Sequence, residues 1–170
     1  MDETYIGGKE KNKHKDKKLN AGRGTVGKSA MVGIKGRSSR QIKSFMVADT
    51  KAITLHQVVC DSISEGATVY TDDATVYERL ERHGYQHETV RHSVGEYVRG
   101  QVHTNGAESL WSCLKRGSYG VYHKISPKHL QRYVDEFSAR QNVRGLNTML
   151  QIDCTIHGLF GKQLKYADSH

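Results

Sequence analysis

Asp2, Asp72 and Glu108, with Lys115 downstream, are the residues of this chain whose types suit a metal ion held against a phosphate. Glu108 and Lys115 fall in the stretch His103 to His123, HTNGAESLWSCLKRGSYGVYH. Asn105 suits a helix N-cap, and Ala107, Leu110, Trp111 and Leu114 recur at helical spacing, which predicts a face turned to a core. Glu108, Ser112 and Lys115 then share another face. A carboxylate in the first turn, with a lysine two turns on, fits a metal and phosphate site. The same spacing fits a plainer role, in which Glu108 closes a capping arrangement with Asn105. Taken singly, Asp72 and Asp73 read as an N-cap, Asp2 as a terminal polar residue, and Lys115 and Arg116 as a solvated face. His103, His123 and His129 match no common metal-ligand spacing.

The elements that must position these residues follow from the pattern around them. Thr4 to Ile6 reads as the tail of a strand ended by Gly7 and Gly8. Thr25 to Lys35 and Gln41 to Ala48 are predicted strands, joined by the turn residues GRSS at 36–39. Asp49 or Thr50 caps a predicted helix running to Ile63, with Leu55, Val59 and Ile63 as its apolar stripe and Gly66 as its stop. Ala67 to Thr71 is a short strand that delivers Asp72 and Asp73 at its end. A helix is expected from Ala74 to His83, closed by Gly84, then a strand from Gln86 to His92 and a loop from Ser93 to Val102. After the Glu108 helix, Ser126 and Pro127 start another, with Leu130, Val134 and Phe137 inward and Arg140, Asn142 and Arg144 near its end. The last twenty-odd residues read as a docking segment with a frayed tail.

At 170 residues, one domain with a real core is expected. Hydrophobic residues make up 36% and charged residues 26%, and no apolar run approaches the roughly 20 residues of a membrane span. The start MDETYIGG shows no secretory signal pattern. Cys60, Cys113 and Cys154 are too scattered for a disulfide framework or a zinc site, which fits a reducing compartment.

The net charge of +8 is concentrated. Residues 9–43 hold nine Lys and three Arg against Glu10 and Asp16, or 12 − 2 = +10, leaving the rest near −2. A solvated basic loop is the plain reading of EKNKHKDKK at 10–18. A one-sided basic block on a compact domain favours nucleic acid as partner.

Strands first, then a helix, a strand ending in acids, and further helices suit an α/β fold with a mixed sheet flanked by helices, of which the RNase H-like fold is one form. It brings acids on a first strand, a later strand end and a C-terminal helix together. Converging carboxylates require a cation, and oxygen-only ligands suit Mg²⁺; two ions would polarise a water and a phosphate.

DETYIGGK (2–9), VYTDD (69–73), HETVRHSVGEYV (87–98) and HTNGAESLWSCLKRGSYGVYHKISPKHLQRYVDEFSARQNVR (103–144) resemble the DDE transposase domain of the IS1595 group, also called ISXO2-like. The resemblance covers nearly the whole chain. It implies an RNase H-like fold and Mg²⁺- or Mn²⁺-dependent cutting and joining of DNA at insertion-sequence ends, by a homo-oligomer in a bacterial cytoplasm, nucleoid-associated when on DNA. It places the catalytic, metal-holding acids on Asp2, Asp72 (through the motif Thr71–Asp72) and Glu108, with Asn105 as a rival for the third place. It implies DNA contacts by Lys115, Arg116, Asn105 and His103, to which the basic block adds Lys9, Lys11, Lys13, Lys15, Lys17 and Lys18. Members of the family usually carry a zinc-binding and helical DNA-recognition region ahead of this domain. On that pattern, the chain is expected to lack that region and to have its first strand cut just before Asp2. A DNA-binding remnant without catalysis, and another RNase H-like nuclease, are the competing readings.

Overall fold

The computed structural model describes residues 1–8, 13–18, 25–72, 75–90, 105–123 and 125–162, apart from the side chains at 90 and 105. Strands β1 (Asp2–Ile6), β2 (Ser29–Lys35) and β3 (Ile42–Val47) form an antiparallel sheet in that order. The register runs Asp2↔Gly33 to Ile6↔Ser29, and Ala30↔Val47 to Lys35↔Ile42. A helix α1 (Ala52–Ser62) leads to β4 (Thr68–Asp72), which pairs in parallel with β5 (Gln86–Val90). Helices α2 (Asn105–Gly120), α3 (Leu130–Val143) and α4 (Thr148–Leu159) complete the order.

Where one mixed sheet was expected, the pairing splits into three strands and two. The sheets meet at β1 and β4, where the Met1 ammonium donates to the Tyr70 carbonyl oxygen at 2.7 Å. The architecture is thus a mixed α/β one with small sheets.

Strand alternation separates two cores, because successive side chains on β2 leave opposite faces. Val32 joins Leu55 and Val59 of α1 with Met1, Val69, Tyr77, Leu80 and Tyr85. Met31 joins Leu110, Trp111 and Leu114 of α2 with Ile6, Ile42, Leu130 and Val134. The apolar stripes read at helical spacing are therefore the faces that the helices bury. Gly33 lets α2 approach: a Cβ there would lie 2.6 Å from Trp111 Cζ2.

The outer edge of β3 is closed by side chains of α3. Asn142 accepts from the Ile42 N–H at 2.7 Å and donates to its carbonyl at 3.0 Å. Gln131 accepts from the Met46 N–H at 2.6 Å and donates to the Ser44 carbonyl at 2.9 Å. An open strand edge is a template for aggregation, and these amides occupy it.

Several local expectations are corrected. The strand read from Thr25 starts at Ser29, because Gly27, at φ +74°, turns the chain first. The helix expected from Ala74 to His83 is two 3₁₀ turns, Thr75–Tyr77 and Leu80–His83. Burying Tyr77 and Leu80 decides that path, and Arg79, at φ +81°, breaks the run between them. Ser126 does precede the Pro127 turn, but its side chain makes no cap bond. The C-terminal docking segment is also corrected: α4 buries no residue against the described chain, and Met149, Ile152, Ile156 and Leu159 are exposed. Its N-cap is real, with the Asn147 side chain accepting from the Leu150 N–H at 3.0 Å. Asp73, the loop at 93–102 and residues 91–92 of the expected fifth strand lie outside the described residues.

Candidate functional site

Asp2 stands at the start of β1, Asp72 at the end of β4, and Glu108 in the first turn of α2. The faces they share follow from alternation. Asp2 lies opposite Gly33, the residue against Trp111, so it belongs to the α2 side of the sheet. On β4, Val69 packs into the α1 core, which puts Tyr70 and Asp72 on the other face. Asp2 and Asp72 thus point to the side from which α2 presents Glu108.

The electrostatics agree with that convergence. Asp2 is pushed up to about 6, first by burial, then by Asp72, with Glu108 adding to the rise and the Met1 ammonium opposing it. Glu108 is thus close enough to act on Asp2, although its side chain is exposed.

Glu3 was missed in the sequence. Ligand oxygens of Asp2, Glu3 and Asp72 lie within 4.8 Å of one another, and among the described residues these form the group able to hold a metal ion. Glu3 is pushed up to about 8, first by burial and then by Asp72 and Asp2. Its Oε1 is buried without a hydrogen-bond partner. The residue lies opposite Val32, hence toward the α1 core. The signal was present in the DET triplet, where a second acid follows Asp2 directly.

Two accounts of the third carboxylate therefore stand side by side. Oxygen-to-oxygen proximity selects Glu3, whereas the shared face and the influence on Asp2 select Glu108. The donor set fits Mg²⁺ or Mn²⁺, because all candidates are hard carboxylate oxygens.

Basic residues occur on several of the described elements. Arg37, on the β2–β3 turn, stacks over the Tyr70 ring with its guanidinium carbon 4.1 Å from the centroid. Lys115 is half-buried on α2, and Arg116 donates to Ser112 Oγ at 2.9 Å and Cys113 Sγ at 3.2 Å. Lys13 is half-buried, and Lys15, Lys17 and Lys18 are exposed around a 3₁₀ turn. Lys9, Lys11 and His103, with the Asn105 side chain, lie outside the described residues, as does the cap arrangement at Asn105. His123 and His129 enter no group of metal-ligand geometry among the described residues.

Comparison with known proteins decides the family. The model of the ISXO2-like transposase domain matches residues 1–142. The chain belongs to that family. The ISXO2-like match takes in β1 through α3 and stops before α4. The chain is also similar to an uncharacterized protein in the transposable element ISH50 of Halobacterium salinarum, at 29% identity over 154 residues. That alignment covers 84% of the chain and 51% of the relative, so the chain spans about half the length of the relative it matches. No solved structure matches. Membership carries a transposition-related role, and among the described residues no helix is long and apolar enough to cross a membrane.

Proposed function

We propose that this domain cleaves and joins DNA strands at the ends of a mobile element, using Asp2, Asp72 and Glu108 to hold Mg²⁺ or Mn²⁺ in an RNase H-like arrangement. The observation that carries the reading is the convergence of carboxylates from β1 and β4 beside α2, with Asp2 raised to about 6 by burial, Asp72 and Glu108. Carboxylates held together at such a cost are common at functional sites. The arrangement of β1–β2–β3 as an antiparallel meander, with β1 against a parallel β4–β5 pair, supports the RNase H-like reading.

Bound divalent ions supply Lewis acidity, making water or a 3′-hydroxyl a better nucleophile and neutralising charge on the phosphodiester. The protein's own residues do the rest. Asp2, Asp72 and Glu108 fix the charge balance and the direction from which a phosphate approaches. Lys115 and Arg116, on the same helix as Glu108, bind phosphates flanking the scissile one, and Lys9 to Lys18 add sequence-independent DNA affinity. DNA is therefore the substrate class, and the active form is a homo-oligomer that acts in the cytoplasm.

Cleavage of oligonucleotides carrying the element's ends, with Mn²⁺ or Mg²⁺, tests the reading. Asp72→Asn and Glu108→Gln should abolish cutting while DNA binding survives. Normal cutting by Glu108→Gln, with loss in Glu3→Gln or Asn105→Ala, reassigns the third ligand to whichever residue fails. Normal cutting by both Asp72→Asn and Glu108→Gln refutes the mechanism.

A further inference from the structure

We propose that His87 is a positioning residue for Asp72, acting through the Thr71 hydroxyl to hold the end of β4 in place. The inference rests on the reading of Asp72 as a metal ligand. It adds a residue that works from the far side of the strand, and His87 enters no group of metal-ligand geometry among the described residues.

Alternation separates the two groups. Val69 packs into the α1 core, so Thr71 turns the same way, while Asp72 turns to the acidic face. On β5, His87 stands opposite Val69 in the parallel register. Its Nε2 atom lies 2.8 Å from Thr71 Oγ1, and Thr71 is fully buried.

A count of hydrogens fixes the state of the ring. A hydroxyl carries one hydrogen, and that of Thr71 goes to the Asp72 carbonyl oxygen at 2.8 Å. The bond to His87 must then be supplied by an Nε2–H, which leaves Nδ1 bare in the neutral imidazole. Burial pushes the His87 pKa below its ordinary value; His56 and the Met1 ammonium add to the fall, and Glu81 opposes it. The neutral form therefore prevails near pH 7. The ring is seated against Tyr77, with centroids 6.2 Å apart and planes at 50°. Tyr77 is itself fully buried in the α1 core.

A continuous line thus runs from that core through Tyr77, His87 and Thr71 to the Asp72 carbonyl. Asp72 is the last residue of β4. A hydroxyl bound to its carbonyl restrains the backbone at the strand's end, and with it the direction in which the carboxylate leaves the chain. Groups that orient a metal ligand in this way are worth about 10–100-fold in affinity.

The test is Mn²⁺ titration of the full chain, read from the paramagnetic signal of the free ion. Thr71→Val removes the hydroxyl at nearly constant shape, and His87→Phe keeps a ring against Tyr77 without a donor. Each should weaken Mn²⁺ binding about tenfold. Thr71→Ser and His87→Gln, which keep a hydroxyl and an N–H, should stay within about threefold of the unsubstituted chain. Thr71→Val combined with His87→Phe should bind no more weakly than Thr71→Val alone, because both changes cut one line. Undiminished affinity in both single variants, beside lost binding in Asp72→Asn, overturns the proposal and spares the metal reading. Equal weakening in Thr71→Ser and His87→Gln also overturns it, since packing alone would then be at work. Undiminished affinity in Asp72→Asn overturns the metal reading, and this proposal with it. Histidine ¹⁵N NMR of the unsubstituted chain decides the matter where a variant fails to fold. Near pH 7, His87 should be neutral with its hydrogen on Nε2; a hydrogen on Nδ1 instead would overturn the proposal.

Discussion

Gly33→Ala probes the packing that sets α2, and with it Glu108, against the strand that carries Asp2. The new Cβ would stand 2.6 Å from Trp111 Cζ2 and 3.1 Å from Cη2, where carbon contacts relax at about 3.5–4.0 Å. Relief therefore requires the indole or the helix to retreat by about 1 Å. Trp111 is only 3% exposed, and Leu110 and Leu114 beside it are fully buried, so the ring has no empty space to enter. Overpacking of this kind costs about 1–3 kcal/mol. Urea unfolding of Gly33→Ala, Trp111→Phe and the double variant measures it as a coupling energy. The shorter ring of Trp111→Phe removes the collision and also the Trp111 Nε1–H, which is buried without a partner. Gly33→Ala should therefore cost at least about 1 kcal/mol less in the Phe background. A retreat of α2 also moves Glu108 away from Asp2, so the thermal shift produced by Mn²⁺ should shrink in Gly33→Ala. Additive unfolding energies, with an unchanged Mn²⁺ shift, would refute the argument that this glycine positions the site.

Glu3 gives a pH signature. Its carboxyl is raised from 4.5 to about 8, so the folded chain holds this proton more tightly than the unfolded chain. Stability from this group is therefore lost as pH rises from about 4.5 toward 8, by up to about 3 kcal/mol at pH 7. Glu3→Gln should flatten that slope in thermal or urea unfolding; an unchanged slope would show that Glu3 ionises as in water. Asn142→Ala should cost about 1–3 kcal/mol in urea unfolding, since it strips both bonds from the buried Ile42 backbone, and a loss below a few tenths would mean water replaces them. DNA affinity should fall steeply with salt, and replacing Lys13, Lys15, Lys17 and Lys18 with Gln should reduce the slope by up to about 0.9 for each lysine that neutralises a phosphate. An identical slope in a salt titration would remove that loop from the DNA contacts.

What the sequence determined by itself was local or chemical. The stripe Leu110, Trp111 and Leu114 was legible because burying one helix face imposes its own period, and Leu55 with Val59 was legible for the same reason. The GRSS turn and its two strands were legible because backbone restrictions act over a few residues. The basic block and the family motifs directed attention to DNA and to Asp2, Asp72 and Glu108. Tertiary structure alone decided how those acids meet. Asp2 and Asp72 are seventy positions apart in sequence, and only the contact of β1 with β4 brings their oxygens within 4.8 Å. The same contact makes Glu3 a member of the group, because its buried carboxyl feels both neighbours. The fate of polar residues was equally invisible: Asn142 was read only as lying near a helix end and Gln131 was not singled out, yet they close the edge of β3. Their role depends on partners 85 to 100 positions away, and no local pattern encodes such a partner. The exposed apolar residues of α4 show the converse, since apolar composition suggested a docking segment but could not name what covers it.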